Sequence, residues 1–346
     1  MDTYNYILPK ELIAQYPSKK RDESRLLCYK KSTKEISHHI FHDLSTLLTN
    51  NDVLVLNNTK VIPARFFAKT ENDKEVEILL VRAIGIDNLV WKVLGSPRKQ
   101  LEKTKSLTLT PQSPILSPQS SILNPTLSIQ VIDQDTIRFK EHKDLEFVLN
   151  NVGQMPLPPY IKRGSEEVDI DRYQTVFAQN PGAVAAPTAS LHFTEDLLNK
   201  IKSNGTEVLF VTLHVGPGTF LPIRSNDIRE HMLIPESYYI ESETWGKISN
   251  AKKNKKRIVA CGSTTVRALE YAHMINKFSG LTSLFITPEF KFQIVDSMIT
   301  NFHLPKTTLL VLVSALAGWE NIKTIYEEAI KEKYRFYSYG DAMMIS

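Results

Sequence analysis

Three histidines of this 346-residue chain, His192, His214 and His303, each stand beside a run of small residues. Imidazole titrates near neutrality, so a histidine held against a close-approach backbone is suited to moving protons at physiological pH. His192 ends the string Pro181-Gly182-Ala183-Val184-Ala185-Ala186-Pro187-Thr188-Ala189-Ser190-Leu191-His192, whose small side chains let a ligand come near the main chain. The segment therefore reads as the floor of a pocket. Behind it, Thr194 predicts a helix N-cap, Glu195 and Asp196 suit the helix dipole, and Phe193 is spaced to staple onto Leu198.

Polar candidates gather at four points where an apolar stretch gives way to a loop. These are Asn57-Asn58-Thr59-Lys60-Val61-Ile62-Pro63-Ala64-Arg65, Thr212 to Phe220 around His214, Cys261-Gly262-Ser263-Thr264-Thr265-Val266-Arg267, and Thr300 to Thr308 around Asn301 and His303. In open α/β sheets ligands bind at the carboxyl ends of strands, and helix N-termini favour anions. Each point also has a plainer reading. Gly216 to Gly218 could be only a turn, Ser263 and Thr264 only a helix cap, and a histidine after a strand only a structural hydrogen-bonder. Asp341, in Tyr339-Gly340-Asp341-Ala342, could orient a histidine, bind a ribose hydroxyl, or be buried with the tail.

The elements around these points change texture along the chain. A short helix is expected over Pro9 to Gln15, and strands over Leu26 to Tyr29 and Val53 to Asn57. From about Phe66 to Asn151 the pattern becomes short strands: Val76 to Val81, Leu89 to Leu94, Leu107 to Leu109, Leu127 to Ile132 and Thr136 to Phe139, with Pro111 to Pro125 as a loop. After Met155 strands and helices alternate. Helices are expected over Glu195 to Lys202, Glu243 to Asn254, Thr264 to Ile275 and Ile322 to Lys333, and strands over Val208 to Leu213, Ile258 to Cys261 and Leu284 to Ile286. The expected architecture is an α/β main domain, residues 1–65 and 152–346, with a mixed β-sheet and flanking helices. An all-β, barrel-like domain is inserted over 66–151.

Composition bounds the rest. The chain is 42% hydrophobic and 23% charged, as expected of a soluble globular protein, and its net charge of +4 permits a nucleic-acid partner without demanding one. Basic clusters at 19–21, 162–163 and 252–257 read either as solvated faces or as phosphate contacts. Cys28 and Cys261 lack disulfide or zinc spacing, which fits a reducing cytosol. No secretory signal is visible, and the apolar run Leu309 to Ala317 is about half a bilayer span, so a cytoplasmic protein without a membrane is expected. Dinucleotide, P-loop, nucleophile-elbow and metal-spaced motifs are all missing.

Several long strings resemble the S-adenosylmethionine:tRNA ribosyltransferase-isomerase family of queuosine biosynthesis. They include Tyr4 to Pro9, Ser24 to Leu27, Asn57 to Arg65, Leu157-Pro158-Pro159-Tyr160-Ile161 and Arg172 to Val176. The likeness continues through Gly182 to Phe193, Thr212 to Phe220, Thr300 to Pro305 and Tyr337 to Met343, so it covers nearly the whole chain apart from the insert. Ser190 stands where the family usually has glycine, Pro217 where alanine is common, and Ser263-Thr264-Thr265 where Thr-Thr-Ser is common.

The resemblance implies transfer and isomerisation of the ribosyl group of S-adenosylmethionine onto 7-aminomethyl-7-deazaguanine (preQ1) at the tRNA wobble position. Epoxyqueuosine-tRNA, adenine and methionine would be the products. It also implies a monomeric enzyme with no tightly bound cofactor and no metal, acting on tRNA with a GUN anticodon. On this reading His192 and His214 are the acid/base candidates. Arg65, Arg267 and Asn301 would orient the methionine carboxylate or the base edge. Thr264 and Thr265 would offer backbone N–H groups to an anion, Asp341 would bind a ribose hydroxyl, and Asn58, Thr59 and His303 would complete the substrate site. Tyr160 would stack on an unpaired base while Lys162 and Arg163 meet phosphate. A non-catalytic RNA-binding protein and a methyltransferase are the competing readings.

Overall fold

The computed structural model describes residues 2–85, 87–109, 127–220, 228 and 231–346; the expected loop from Pro111 to Pro125 lies outside them. Two compact units are present. One is Met1–Lys60 with Pro158–Arg163 and Arg172–Ser346; the other is Val61–Leu157 with Gly164–Asp171.

The first unit is built on a mixed sheet of nine strands: β1 (Arg25–Lys30), β2 (Glu35–Ile40), β3 (Asp52–Asn57), β4 (Glu207–Leu213), β5 (Glu236–Tyr239), β6 (Arg257–Cys261), β7 (Ser279–Thr282), β8 (Ser297–Asn301) and β9 (Ala342–Ile345). Their order is β7-β5-β4-β3-β6-β8-β9-β1-β2. The inner strands β4, β3, β6 and β8 run parallel to one another. β3 reads Asp-Val-Leu-Val-Leu-Asn without alternation because it is buried on both faces, and all six of its residues are buried. β9 is antiparallel to β8, with Asn301 opposite Ala342, and parallel to β1. The chain end is therefore an inner strand.

Helices α1 (Glu195–Ser203), α2 (Ser242–Lys253), α3 (Ser263–Ile275), α4 (Thr308–Ala317) and α5 (Trp319–Lys331) belong to this unit. Thr194 caps α1, its hydroxyl accepting from Leu197 N at 3.1 Å. Phe193 and Leu198 share one buried cluster with Leu54, Leu56, Val259 and Ile299, so the predicted staple is part of the core. Most of α4, the most apolar stretch of the sequence, is buried. No single helix among the described residues is long and apolar enough to cross a membrane.

In the second unit six antiparallel strands close into a barrel in the order Thr136–Arg138, Val90–Ser96, Glu75–Ile84, Arg65–Thr70, Ser106–Leu109, Ser128–Asp133. The first and last pair with each other and complete the closure. Arg65–Thr70 alternates inward and outward, with Phe66, Ala68 and Thr70 buried.

Two expected elements differ. Over Pro9 to Gln15 only the 3₁₀ turn Lys10–Leu12 forms, because the chain is then drawn out along Phe336, with Ala14 N donating to Phe336 O at 3.2 Å and Phe336 N to Leu12 O at 2.7 Å. Leu284 to Ile286 is not a strand. The strand falls on Ser279–Thr282, which pairs with β5, and Ile286 is buried from irregular backbone ahead of Pro288.

Candidate active site

The parallel run of β4, β3, β6 and β8 carries all four polar junctions to one edge of the sheet, and β9 begins at that same edge. Asn57 holds three of them together. Its amide donates to Leu213 O at 2.9 Å and Thr264 Oγ1 at 3.2 Å, and its Oδ1 accepts from Leu213 N at 3.0 Å and Thr59 N at 3.1 Å. Sequence reasoning passed over this residue in favour of Asn58. The signal was a polar side chain closing an otherwise apolar strand, since an amide buried there must find partners for both its ends. Asn58 is a tie instead: its Oδ1 accepts from Thr212 Oγ1 at 2.7 Å and Asn180 Nδ2 at 3.1 Å.

A small cleft, open to solvent, lies over this edge between the small residues Ala186 to Ala189, the Gly262-Ser263-Thr264 turn, and Thr300, Asn301 and His303. A neighbouring small cleft shares Thr188, Asn301 and His303 and reaches Tyr160, Tyr337 and Ser338. Among the described residues, none bordering either cleft is acidic or carries a fixed positive charge. The backbone of His303 is gripped on both sides: its N–H donates to the Tyr326 hydroxyl at 2.9 Å and its carbonyl accepts from the Tyr6 hydroxyl. Its Nε2 meets Thr300 Oγ1 at 3.0 Å, and burial lowers its pKa to about 3, so the ring is neutral at pH 7.

Neither His192 nor His214 borders either cleft, although Val215, next to His214, lines the first. His192 is the more deeply placed of the two. It lies behind Asn301, with its Nε2 3.3 Å from the Asn301 amide and its ring 4.9 Å from that of Phe41. Burial, reinforced by the charge of Arg335, lowers its pKa to about 3. It accepts a hydrogen bond from Asn301 and does not face a ligand. Asn301 is otherwise engaged with Asp341 O at 3.3 Å and Thr188 Oγ1 at 2.8 Å.

His214 follows β4 and is half-buried, which lowers its pKa. Thr59 Oγ1 holds its Nδ1 at 2.8 Å, and its backbone N–H donates to Ser237 O at 2.9 Å. The imidazole lies flat against Gly182, where φ is +146° and an added Cβ would stand 2.9 Å from Cε1. The glycine of the small-residue string is thus the surface on which His214 rests. Ser190, whose hydroxyl replaces the usual glycine, is accommodated by donating to Cys261 Sγ at 3.3 Å.

Other expected ligand groups are committed elsewhere. Arg267 forms a buried ion pair with Glu236, each about 4% exposed, and Glu236 also accepts from Gly216 N at 2.7 Å. It is therefore not free to hold a carboxylate. Glu236 was not singled out in the sequence, because only the antiparallel pairing of β4 and β5 brings it beside the glycines after His214. Asp341 accepts from Arg25 N at 3.0 Å and Arg335 N at 2.8 Å, and thereby locks the entry to β9. The Thr265 hydroxyl donates to Cys261 O at 2.6 Å, whereas Thr264 borders the cleft. Arg65 belongs to the barrel unit, where it pairs with Glu77 at 3.1 Å and donates to Leu157 O at 2.9 Å. The Tyr160 ring packs on Tyr337 with centroids 4.1 Å apart, and its hydroxyl bonds with that of Ser338. Lys162 is exposed, and the Arg163 guanidinium lies 4.2 Å above the exposed Tyr16 ring. Among the described residues no group of His, Cys, Asp or Glu side chains is arranged to hold a metal ion.

A sheet with clefts at the carboxyl ends of its parallel strands, together with a β-barrel unit, defines the class: an α/β protein of the kind in which small molecules bind at that strand edge. Its family is more specific. The chain matches the queuosine biosynthesis protein family over residues 1–345 and belongs to it. It is 45% identical over 346 residues to the S-adenosylmethionine:tRNA ribosyltransferase-isomerase of Sulfurihydrogenibium sp. (strain YO3AOP1), covering 100% of this chain and 99% of that one. The enzyme of the same name from Carboxydothermus hydrogenoformans is 45% identical over 349 residues, covering 99% and 98%. The crystal structure of S-adenosylmethionine tRNA ribosyltransferase from Thermotoga maritima is also similar, with a TM-score of 0.56 and 32% identity, covering 99% of this chain and 100% of that one.

Proposed function

We propose that this protein is an S-adenosylmethionine:tRNA ribosyltransferase-isomerase. It moves the ribosyl group of S-adenosylmethionine onto the aminomethyl group of preQ1 at the wobble position of a GUN anticodon and releases adenine and methionine. The observation that carries the reading is a match spanning the whole chain, borne by strings whose polar residues meet at one sheet edge. The chemistry suits that site. A sulfonium acidifies the neighbouring C5′ protons, and among the described residues no carboxylate borders the cleft to offset its charge. His214 does not line the cleft but adjoins Val215, which does, and its partly buried ring is the base in this reading: Nδ1–H donates to Thr59 Oγ1 and Nε2 takes the proton. The departing purine needs a proton, and the imidazolium so formed can return it. His192 acts on the cleft only through Asn301.

The tRNA is met by Lys162 and Arg163, which contact phosphate as a monomer binds one anticodon arm. Tyr160 packs against Tyr337, and the Arg163 guanidinium lies over the Tyr16 ring, so this pair would meet the nucleic acid as one unit. Labelled S-adenosylmethionine incubated with the protein and preQ1-containing tRNA should yield adenine and methionine. S-adenosylhomocysteine instead would make it a methyltransferase. Salt-dependent tRNA binding with neither product would leave an RNA-binding protein.

A further inference from the structure

We propose that the N-terminus of α3, at Gly262-Ser263-Thr264, seats the carboxylate of the methionine part of the donor. This rests on S-adenosylmethionine being the substrate. Both arginines expected to hold that carboxylate are committed, Arg267 to Glu236 and Arg65 to Glu77 in the barrel unit. The helix end can replace them. α3 runs for 13 residues, Gly262 offers no side chain to cap it, and its first turn has no acidic residue. The N–H groups of its first residues have no partner within the helix.

A second observation points into the cleft. Ser263 is 7% exposed and borders the cleft, and among the described residues its hydroxyl makes no hydrogen bond. A hydroxyl on a largely buried residue at the wall of a cleft matches an acceptor that arrives with the ligand. Beside it, the Thr264 oxygen accepts from Asn57 and so keeps its own hydrogen to donate. Gly262, at φ +86°, is in a conformation that residues with a side chain rarely adopt, so no side chain stands at this helix end. Two hydroxyls and the helix N–H groups thus converge on one anion. Across the cleft His303 and Asn301 are neutral and suit the uncharged base and sugar instead. The donor is thereby oriented, carboxylate on α3 and nucleoside toward β8.

The test uses the full chain with preQ1-containing tRNA and two donors, S-adenosylmethionine and its decarboxylated analogue. The wild type should show a kcat/KM for the analogue lower by about tenfold or more, the scale of losing charge-assisted hydrogen bonds. Ser263→Asp places a fixed carboxylate in the seat: KM for S-adenosylmethionine should rise by about tenfold or more and the preference between donors should vanish. Its melting temperature should not fall, because an acid in the first turn favours the helix dipole. Ser263→Ala should show a smaller rise in KM with the same fold. Equal kcat/KM for both donors in the wild type, or an unchanged KM in a folded Ser263→Asp, overturns the seat. A wild type that releases no adenine and methionine at all would refute the functional reading itself.

Discussion

Gly182→Ala tests whether the His214 imidazole must lie where it does. The new Cβ would stand 2.9 Å from Cε1, 3.0 Å from Nδ1 and 3.1 Å from Nε2, and the ring cannot stay. Moving it breaks the 2.8 Å bond to Thr59 Oγ1. The backbone at φ +146° adds about 1–3 kcal/mol of strain for a residue with a side chain, and the lost hydrogen bond about 1 kcal/mol. A loss of about 2–4 kcal/mol in unfolding free energy is therefore expected from urea titration, summing those two costs. A positioned general base is worth about 10²–10⁴ in rate, so His214→Ala should lower kcat by at least about tenfold, and Gly182→Ala should approach it without touching the imidazole chemically. The two changes act through one ring, so the double variant should be no slower than His214→Ala alone. Single-turnover release of adenine measures this. A folded Gly182→Ala at wild-type kcat, or a double variant slowed by the product of the two single effects, would refute the placement of His214.

Two further outcomes follow from buried charge. Glu236→Gln removes the counter-charge of the buried Arg267 and should cost about 3–5 kcal/mol by denaturant titration, with the His214 loop losing protection from hydrogen exchange. Acid should destabilise the fold through His192 and His303. Both are held neutral in the folded protein, with pKa lowered from 6.5 to about 3, so their contribution is complete above pH 6.5 and is lost as pH falls toward 3. Between those limits the unfolded chain binds the extra protons, and unfolding free energy should fall by up to about 1.4 kcal/mol per pH unit for each histidine. Replacing either with glutamine should flatten the slope between pH 6.5 and 4.5; an unchanged slope would mean that residue is not buried neutral.

The four polar junctions could be read from the residue string, but not the roles of the residues in them. Local chemistry was legible: Thr194 as a cap, Phe193 as a staple, the unbroken apolar run of β3, and small residues beside three histidines are all short-range patterns. What a residue's neighbours would be was not. His192 and His214 look alike in sequence, yet one is sealed behind Asn301 and the other rests open-sided on Gly182. Arg267 reads as a free cation until β5 brings Glu236 against it, 31 residues away in the chain. Asp341 reads as a ligand until β9 inserts beside β1 and two backbone N–H groups claim it. Hydrogen-bonding capacity is finite, and only the packed sheet decides which polar groups have spent theirs on one another and which, like Ser263, keep it for a ligand.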